Sequence, residues 1–433
     1  MAKKTKQLDQ APNVPLDIIV KVAFFIPDWS TVLEFLRALR PANVLGPLEH
    51  LWQLRCCLGW NDYDLWPQLN LIRMDDASQP HVEGIARFYP KVIASYIIDV
   101  AWCDRFLNRN ASIYWARSAG LVMGPKLLLP WTPFRIISID LVNFDPQQLE
   151  ETLSYLKHLE ILKYHGCSPT TAPAIFSFVA SSLSLQELLL GTMGGRNPDH
   201  CTMTTNMTAD LVKWLESQPI RRLEMENFTW QDPKLRHQAM TMALASPTLE
   251  EFKMKEVYEP LLIHEAEYNL KVSALSLTFC DPLQDGDQFL DYEGLKSYLA
   301  LFAPLLQTKL KRLNVVALFT FGFNNLWSIL APMIAQSHLQ KMDLVSQKFT
   351  KSEAVDIANI IRHHQTLQEL VVVSDNLPIT GAKSLLSAAT PQIKKLALAG
   401  TEDMLRKMYT PKQCDALKKL ANDKSIQLFD HPA

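Results

Sequence analysis

Leu367-Gln368-Glu369-Leu370-Val371-Val372 places aliphatic residues first, fourth and sixth in a run of six, and that spacing decides how the chain is read. It returns at Phe134/Ile137/Ile139, Leu156/Leu159/Ile161, Leu185/Leu188/Leu190, Ile220/Leu223/Met225, Leu249/Phe252/Met254, Val272/Leu275/Leu277, Leu310/Leu313/Val315, Leu339/Met342/Leu344 and Ile393/Leu396/Leu398. The fourth and sixth positions are two apart, so in an extended strand both face one way and the residue between them faces the other. Between the returns lie stretches of helical apolar spacing: Leu149/Leu153/Leu156, Ile175/Phe178/Val179, Leu211/Trp214/Leu215, Met240/Leu244, Leu295/Leu299/Phe302, Leu326/Leu330/Ile334, Val355/Ile357/Ile360/Ile361 and Leu385/Leu386. Strand and helix alternate once per return, and crossovers of that length join parallel strands.

The interval drifts around roughly 20–29 residues, the period of leucine-rich repeats. The expected fold is an α/β leucine-rich-repeat solenoid, or horseshoe, over residues 134–402, with helices on the convex side and strands on the concave side. Each repeat buries its apolar face only against its neighbours.

Working outward, the N-terminal stretch reads as a small all-α module over residues 14–55, behind a polar tail at 1–13. Pro15 and Asp17 suit a first helical turn, because proline gives up no needed N–H there and an acid meets the positive end of the helix dipole. Ile18, Ile19, Val22 and Phe25/Ile26 follow at helical spacing, and Pro27-Asp28 ends the helix. A second helix, about Trp29 to Leu39, carries Val32, Leu33, Leu36 and Leu39, and a third, about Leu48 to Leu54, carries Leu48, Leu51, Trp52 and Leu54. Residues 56–133 are rich in tryptophan (Trp60, Trp66, Trp102, Trp115, Trp131) and read as a linker with degenerate first repeats, the indoles serving to pack the junction. Val92 to Val100 fits a strand or a buried helix equally. Residues 403–433 form a closing unit: a helix from Pro411 to Ala421 with Cys414, Leu417 and Leu420 inward, then a strand at Ile426 to Phe429.

The order of proline, acid, paired aliphatics, proline-acid break, amphipathic helix and late Leu-Trp resembles the F-box. By that resemblance Pro15, Ile18, Ile19, Val22, Ile26, Leu33, Leu36 and Trp52 fall where the family packs its core or presents residues to a Skp-type adaptor. An F-box followed by leucine-rich repeats resembles the substrate-receptor subunits of SCF-type cullin-RING ubiquitin ligases. The resemblance implies a non-catalytic chain that docks the adaptor and, through it, a cullin, while the solenoid holds a target protein. A second reading stays open, a protein-binding scaffold or inhibitor similar to ribonuclease-inhibitor-type solenoids, with Val14 to Leu54 only a cap. The two differ in whether Ile18, Ile19, Val22 and Trp52 face a partner or the first repeats.

Other classes find little support. A chain of 433 residues with 48% hydrophobic and 20% charged residues can build a large core, and its net charge of −2 gives no electrostatic case for nucleic acid or an anionic membrane. The N-terminus lacks an apolar signal core and no apolar run is long enough for a bilayer, so a soluble cytoplasmic or nuclear protein is expected. Seven cysteines, an odd number scattered along the chain, read as reduced core thiols, Cys56-Cys57 among them. His363-His364 suits the end of a helix; His165 and Cys167 lack a second ligand pair; Gly191, Gly194 and Gly195 have no following Gly-Lys-Ser/Thr; and His264-Glu265 lacks a second histidine. No metal, cofactor or catalytic constellation is expected.

The residues that alternate with the anchors should form the concave surface: Glu160/Leu162, Leu189/Gly191, Glu224/Glu226, Lys253/Lys255, Ser276/Thr278, Asn314/Val316, Asp343/Val345, Val371/Val373 and Ala397/Ala399. Glu224 and Glu226 should meet Lys253 and Lys255 across neighbouring strands as mutually neutralising pairs. Towards the C-terminus the same positions turn apolar, and Val316, Val345, Val371, Val373, Ala397 and Ala399 make the candidate target-binding patch. Coverage by the chain's own loops, such as Leu318 to Phe323, competes with that reading.

Overall fold

A computed structural model describes residues 15–116, 125–142, 144–191, 201–226, 228–255, 272–280, 306, 310–318, 324–346, 349–399 and 402–429. The polar tail, Val14, the Leu295/Leu299/Phe302 spacing, Gly194, Gly195, His264-Glu265 and the loop 319–323 lie outside them. The chain divides into two compact units: Met1–Phe144 with Glu151–Glu160, and Asp145–Glu150 with Ile161–Ala433. Among the described residues no helix is long and apolar enough to cross a membrane.

The first unit opens with helices α1 (Leu16–Phe25), α2 (Trp29–Leu39) and α3 (Leu48–Trp52). The sequence places their ends. Pro15 precedes α1 and Asp17 sits in its first turn. Asp28 caps α2 by accepting from the Thr31 amide at 2.8 Å and the Ser30 hydroxyl at 2.6 Å, which holds its carboxyl below the usual range. Strands β1 (Leu69–Asn70), β2 (Lys91–Ala94), β3 (Ser112–Trp115) and β4 (Arg135–Val142) follow and pair in parallel, each with the next. The stretch from Val92 to Val100, which periodicity left open, is strand to Ala94 and reaches helix only at Val100.

An aromatic cluster ties the helices to these strands. Trp66 lies with its ring centroid 5.1 Å from Phe24 and 6.4 Å from Trp29, and its indole N–H donates to the Ile26 carbonyl at 3.0 Å. Tyr89, fully buried, meets Phe24 edge-on and donates its hydroxyl to the Leu65 carbonyl at 2.7 Å. Trp60, Trp115 and Trp131 are buried as well, so these indoles are packing groups. Cys56 and Cys57 are not core thiols: both are exposed, because they end the helical stretch after α3 on its outer side.

The second unit contains β5 (Ile161–His165), β6 (Glu187–Gly191), β7 (Cys201–Met203), β8 (Arg222–Glu226), β9 (Phe228–Trp230), β10 (Glu251–Lys255), β11 (Ala274–Cys280), β12 (Arg312–Leu318), β13 (Lys341–Ser346), β14 (Glu369–Ser374), β15 (Lys395–Ala399) and β16 (Gln427–Phe429). All but β7 and β9 follow one another in a single parallel sheet, while β7 and β9 pair as a separate parallel ribbon that the periodicity did not reveal. The anchors align strand to strand: Leu188, Leu223, Phe252, Leu275, Leu313, Met342, Leu370 and Leu396 form one inward row. Each is at most 2% exposed, and burial of one such side chain is worth roughly 1.5–3 kcal/mol. The row is therefore the spine of the unit.

Helices return the chain between strands and bury one face each, Leu211, Trp214 and Leu215 from Thr205–Ser217 as expected, and Ala354, Ile357 and Ile361 from Lys351–His363, where Val355 and Ile360 are only half-buried. Gly381 opens the close approach of Ile379–Ala388 to Lys351–His363, where an added Cβ would lie 2.7 Å from the Ala354 methyl. His364 caps the latter helix. Its Nδ1 accepts from the amides of Thr366 (3.4 Å) and Leu367 (3.1 Å), which leaves Nε2 to donate to the Ser337 hydroxyl at 3.1 Å. Burial holds this imidazole below its ordinary pKa and keeps it neutral. Cys167 and Cys201 are buried together, and their hydrogen bond, followed by burial, pushes the Cys167 thiol up. In the closing unit Pro411–Asp423 buries Cys414, Leu417 and Ala421; Leu420 is only half-buried, the inward role falling one residue later.

Candidate functional site

Two surfaces, one in each unit, carry the residues singled out by the sequence. In the first unit, α1 is apolar on both sides. Ile19, Val20 and Ala23 face inward, and the half-buried Phe24 beside them meets the aromatic cluster. Ile18, Val22 and Phe25, spaced four and three residues apart, share the opposite stripe and are 45, 44 and 84% exposed. Asp17 and Lys21 are the charged residues beside this stripe, paired loosely at 3.8 Å.

Of the candidate adaptor contacts, Pro15, Ile18 and Val22 are exposed, whereas Ile26, Leu33 and Trp52 are half-buried. Ile19 and Leu36 are not available: Ile19 is 7% exposed and Leu36 not at all, each lying on the inward face of its helix. Trp52 lies beneath the Arg40 guanidinium, 4.5 Å from the ring centroid. Phe25 is the residue missed. It continues the stripe begun by Ile18 and Val22, and its proximity to the helix end at Ile26 hid that it projects outward.

In the second unit the open face of the sheet runs in three rows set by the strand registers. The first is Arg222, Glu251, Ala274, Arg312, Lys341, Glu369 and Lys395; the second contains Glu224, Lys253, Ser276, Asn314, Asp343, Val371 and Ala397; the third contains Glu226, Val316, Val345 and Val373. The first row went unnoticed in the sequence. Its residues immediately precede the second anchor, so they lie two positions before the second row and share its face.

One expected register is wrong. Strand β5 pairs Leu162 with Leu188 and Tyr164 with Leu190, so Leu162 and Tyr164 point inward and are fully buried. The open-face positions are Ile161, Lys163 and His165, not Glu160 and Leu162. Leu156, Leu159 and Leu162 are spaced by threes, so the aliphatic pattern fits in two frames, and only the later frame aligns with the next strand.

The middle of the face is closed on itself. Lys253 reaches Glu224 at 2.5 Å and Glu226 at 2.6 Å, and Arg222 reaches Glu224 at 3.1 Å and Glu251 at 3.5 Å. Burial pulls the Lys253 ammonium down, but its hydrogen bonds to the two glutamates outweigh burial and hold its pKa above the ordinary value. The expected cross-strand neutralisation is thus made by one lysine bridging two carboxylates; the side chain of Lys255 is outside the described set.

The apolar patch is smaller than its sequence suggested. Val316, Val345 and Val373 are half-buried and reachable, but Val371 is 4% exposed and Ala397 and Ala399 are wholly buried. Strand β15 lies between β14 and β16, and an alanine methyl there does not rise above its longer neighbours. Beside the ion pairs lies a cavity of about 240 Å³ lined by Arg222, Glu251, Lys253, Ser276, Arg312, Asn314, Lys341 and Asp343, among others. Among the described residues no group of three or more histidine, cysteine, aspartate or glutamate side chains is arranged to hold a metal ion.

The sequence matches no protein-family profile and no curated protein. Among solved structures, it is similar to the leucine-rich repeat-containing protein LegL7 from Legionella pneumophila, at 14% identity over 83% of this chain and 97% of that one, with a TM-score of 0.31. A score of that size carries no argument, and the repeat architecture rests on the aligned registers and buried anchors.

Proposed function

We propose that this chain is a non-catalytic receptor that docks a Skp-type adaptor, and through it a cullin, with its N-terminal helices, and presents a target protein to a ubiquitin ligase on the open face of its repeat sheet. The observation that carries the reading is the stripe of Ile18, Val22 and Phe25, left in solvent while the other side of α1 is covered. Three large apolar side chains in line on one helix face fit a hydrophobic groove on a partner. No cofactor, metal or nucleic acid is invoked.

A second reading, a protein-binding scaffold with no adaptor, is favoured by the burial of Ile19 and Leu36 and by the Trp66 cluster, which make the same helices a working cap. Purified adaptor separates the two. Intact chain should retain it on a column, and the double variant Ile18→Glu/Val22→Glu should lose it while melting at an unchanged temperature. An intact, folded chain that retains no adaptor would leave the scaffold reading.

A further inference from the structure

The middle strands satisfy their own charges, but β12 does not. Arg312 is exposed and makes no ion pair among the described residues. Its register neighbours are Ala274, whose methyl leaves room, and Lys341, a second cation. Lys341 is held only loosely, 3.5 Å from Asp343 and 3.9 Å from Glu369. Beside them Asn314 donates its Nδ2 to the Ser276 oxygen at 3.0 Å, so the Ser276 O–H remains to donate into the cavity that both residues line. Arg312, Lys341 and the Ser276 hydroxyl therefore line one cavity in which, among the described residues, Arg312 has no carboxylate partner and Lys341 has only distant ones. Further along the same strand face, Val316 pairs in register with Val345, and Val345 with Val373. From Arg312 through Asn314 to Val316 the open face reads cation, amide, aliphatic, in steps of roughly 6.6 Å.

We propose that Arg312, Lys341 and Ser276 receive an aspartate or glutamate side chain of the target, and that Val316, Val345 and Val373 receive an aliphatic residue two to four positions away in the same extended segment. The inference rests on the target-presenting role proposed above and names its ligand, a short linear acidic-then-apolar segment. A guanidinium fork matches a carboxylate with two parallel hydrogen bonds. Glu251 and Asp343 already line the cavity, Glu251 engaged by Arg222. Beside Arg312 and the loosely held Lys341 they leave room for one added negative charge and oppose the doubly charged phosphate of a modified residue.

The test is a displayed library of random twelve-residue peptides panned on the intact chain, with enriched sequences resynthesised and titrated by fluorescence anisotropy. Enrichment of Asp or Glu two to four positions from Val, Leu or Ile is expected. Affinity should fall at least tenfold in Arg312→Glu and in Val345→Asp, and a Lys-for-Asp peptide should regain binding to Arg312→Glu alone. Replacing the acid by phosphoserine should weaken binding. Enriched peptides without the acid–aliphatic pair, peptides indifferent to Arg312→Glu in a folded protein, or phosphoserine peptides that bind tighter would each overturn the proposal. Self-association lost in Arg312→Glu would give the face to a second copy of the chain and overturn it too. Adaptor retention is measured on the same preparations: its loss with peptide binding intact breaks only the adaptor reading, and the reverse breaks only this one.

Discussion

Helix α1 and strand β12 both leave apolar side chains within reach of solvent, but in different company. On α1, Ile18, Val22 and Phe25 form an uninterrupted apolar stripe, 44% exposed or more. On β12 Val316 is half-buried and follows Arg312 and Asn314 along the same face. A partner of α1 gains chiefly by removing apolar surface from water, an attraction that salt does not screen. A partner of β12 must answer a charge, so its affinity should weaken as ionic strength rises. Strands β8 and β10 share the geometry of β12 and offer little, because Lys253 and Arg222 are already engaged by glutamates of the same face. The two sets of strands differ in which charges the fold leaves unanswered among the described residues.

The sharpest way to break this contrast is to exchange covered and uncovered aromatics in the first unit. Trp66→Ala removes a ring packed on Phe24, Trp29 and Tyr89 together with a hydrogen bond, and should cost about 3–5 kcal/mol in denaturant unfolding. Phe25→Ala should stay within about 0.5 kcal/mol of wild type, since its ring is in water. Equal losses would mean that the α1 stripe is covered in the folded protein.

His364 offers a smaller effect with a defined sign. Its folded pKa is lowered by burial from the ordinary 6.5, so the unfolded chain takes up the proton first and the stability it confers is present above about pH 6.5 and lost as pH falls toward the folded value. His364→Leu leaves the Thr366 and Leu367 amides without their acceptor and should cost about 1–3 kcal/mol at pH 7.5. The gap between the two melting temperatures should narrow at pH 5.5; a gap that widens would mean the imidazole is charged in the fold.

The smallest effects compare the closed and open charges directly. Lys253→Met strips the counter-charge from Glu224 and Glu226 and should lose about 1 kcal/mol, part of it recovered by adding Glu226→Gln. Arg312→Gln, which breaks no ion pair among the described residues, should leave the melting temperature where it is. A destabilised Arg312→Gln would show that this guanidinium already has work inside the fold.

The sheet was legible because its anchors repeat with a spacing that only a strand satisfies, and their alignment from Leu188 to Leu396 follows from that spacing. The slip at β5 arose from three leucines at equal intervals, a degeneracy that only pairing with β6 resolves. The two-sided apolar character of α1 was equally visible, but which side is covered depends on Trp66 and Tyr89, far along the chain, and no local pattern reports that. The apolar patch was overstated for a related reason: Val371, Ala397 and Ala399 alternate correctly, yet their burial depends on the strands either side. Arg312 and Lys341 were readable in principle, since they precede the second anchor in their repeats and so share the face of the residues between the anchors.

The most direct measurement is binding of purified Skp-type adaptor to the purified intact chain by biolayer interferometry, beside Ile18→Glu/Val22→Glu and Arg312→Glu. A receptor built as proposed binds the adaptor in the wild type and in Arg312→Glu, with little dependence on salt, and loses it at least a hundredfold in the α1 double variant. Equal binding by all three, or none by a folded wild type, would contradict the claim that the α1 stripe is the docking surface.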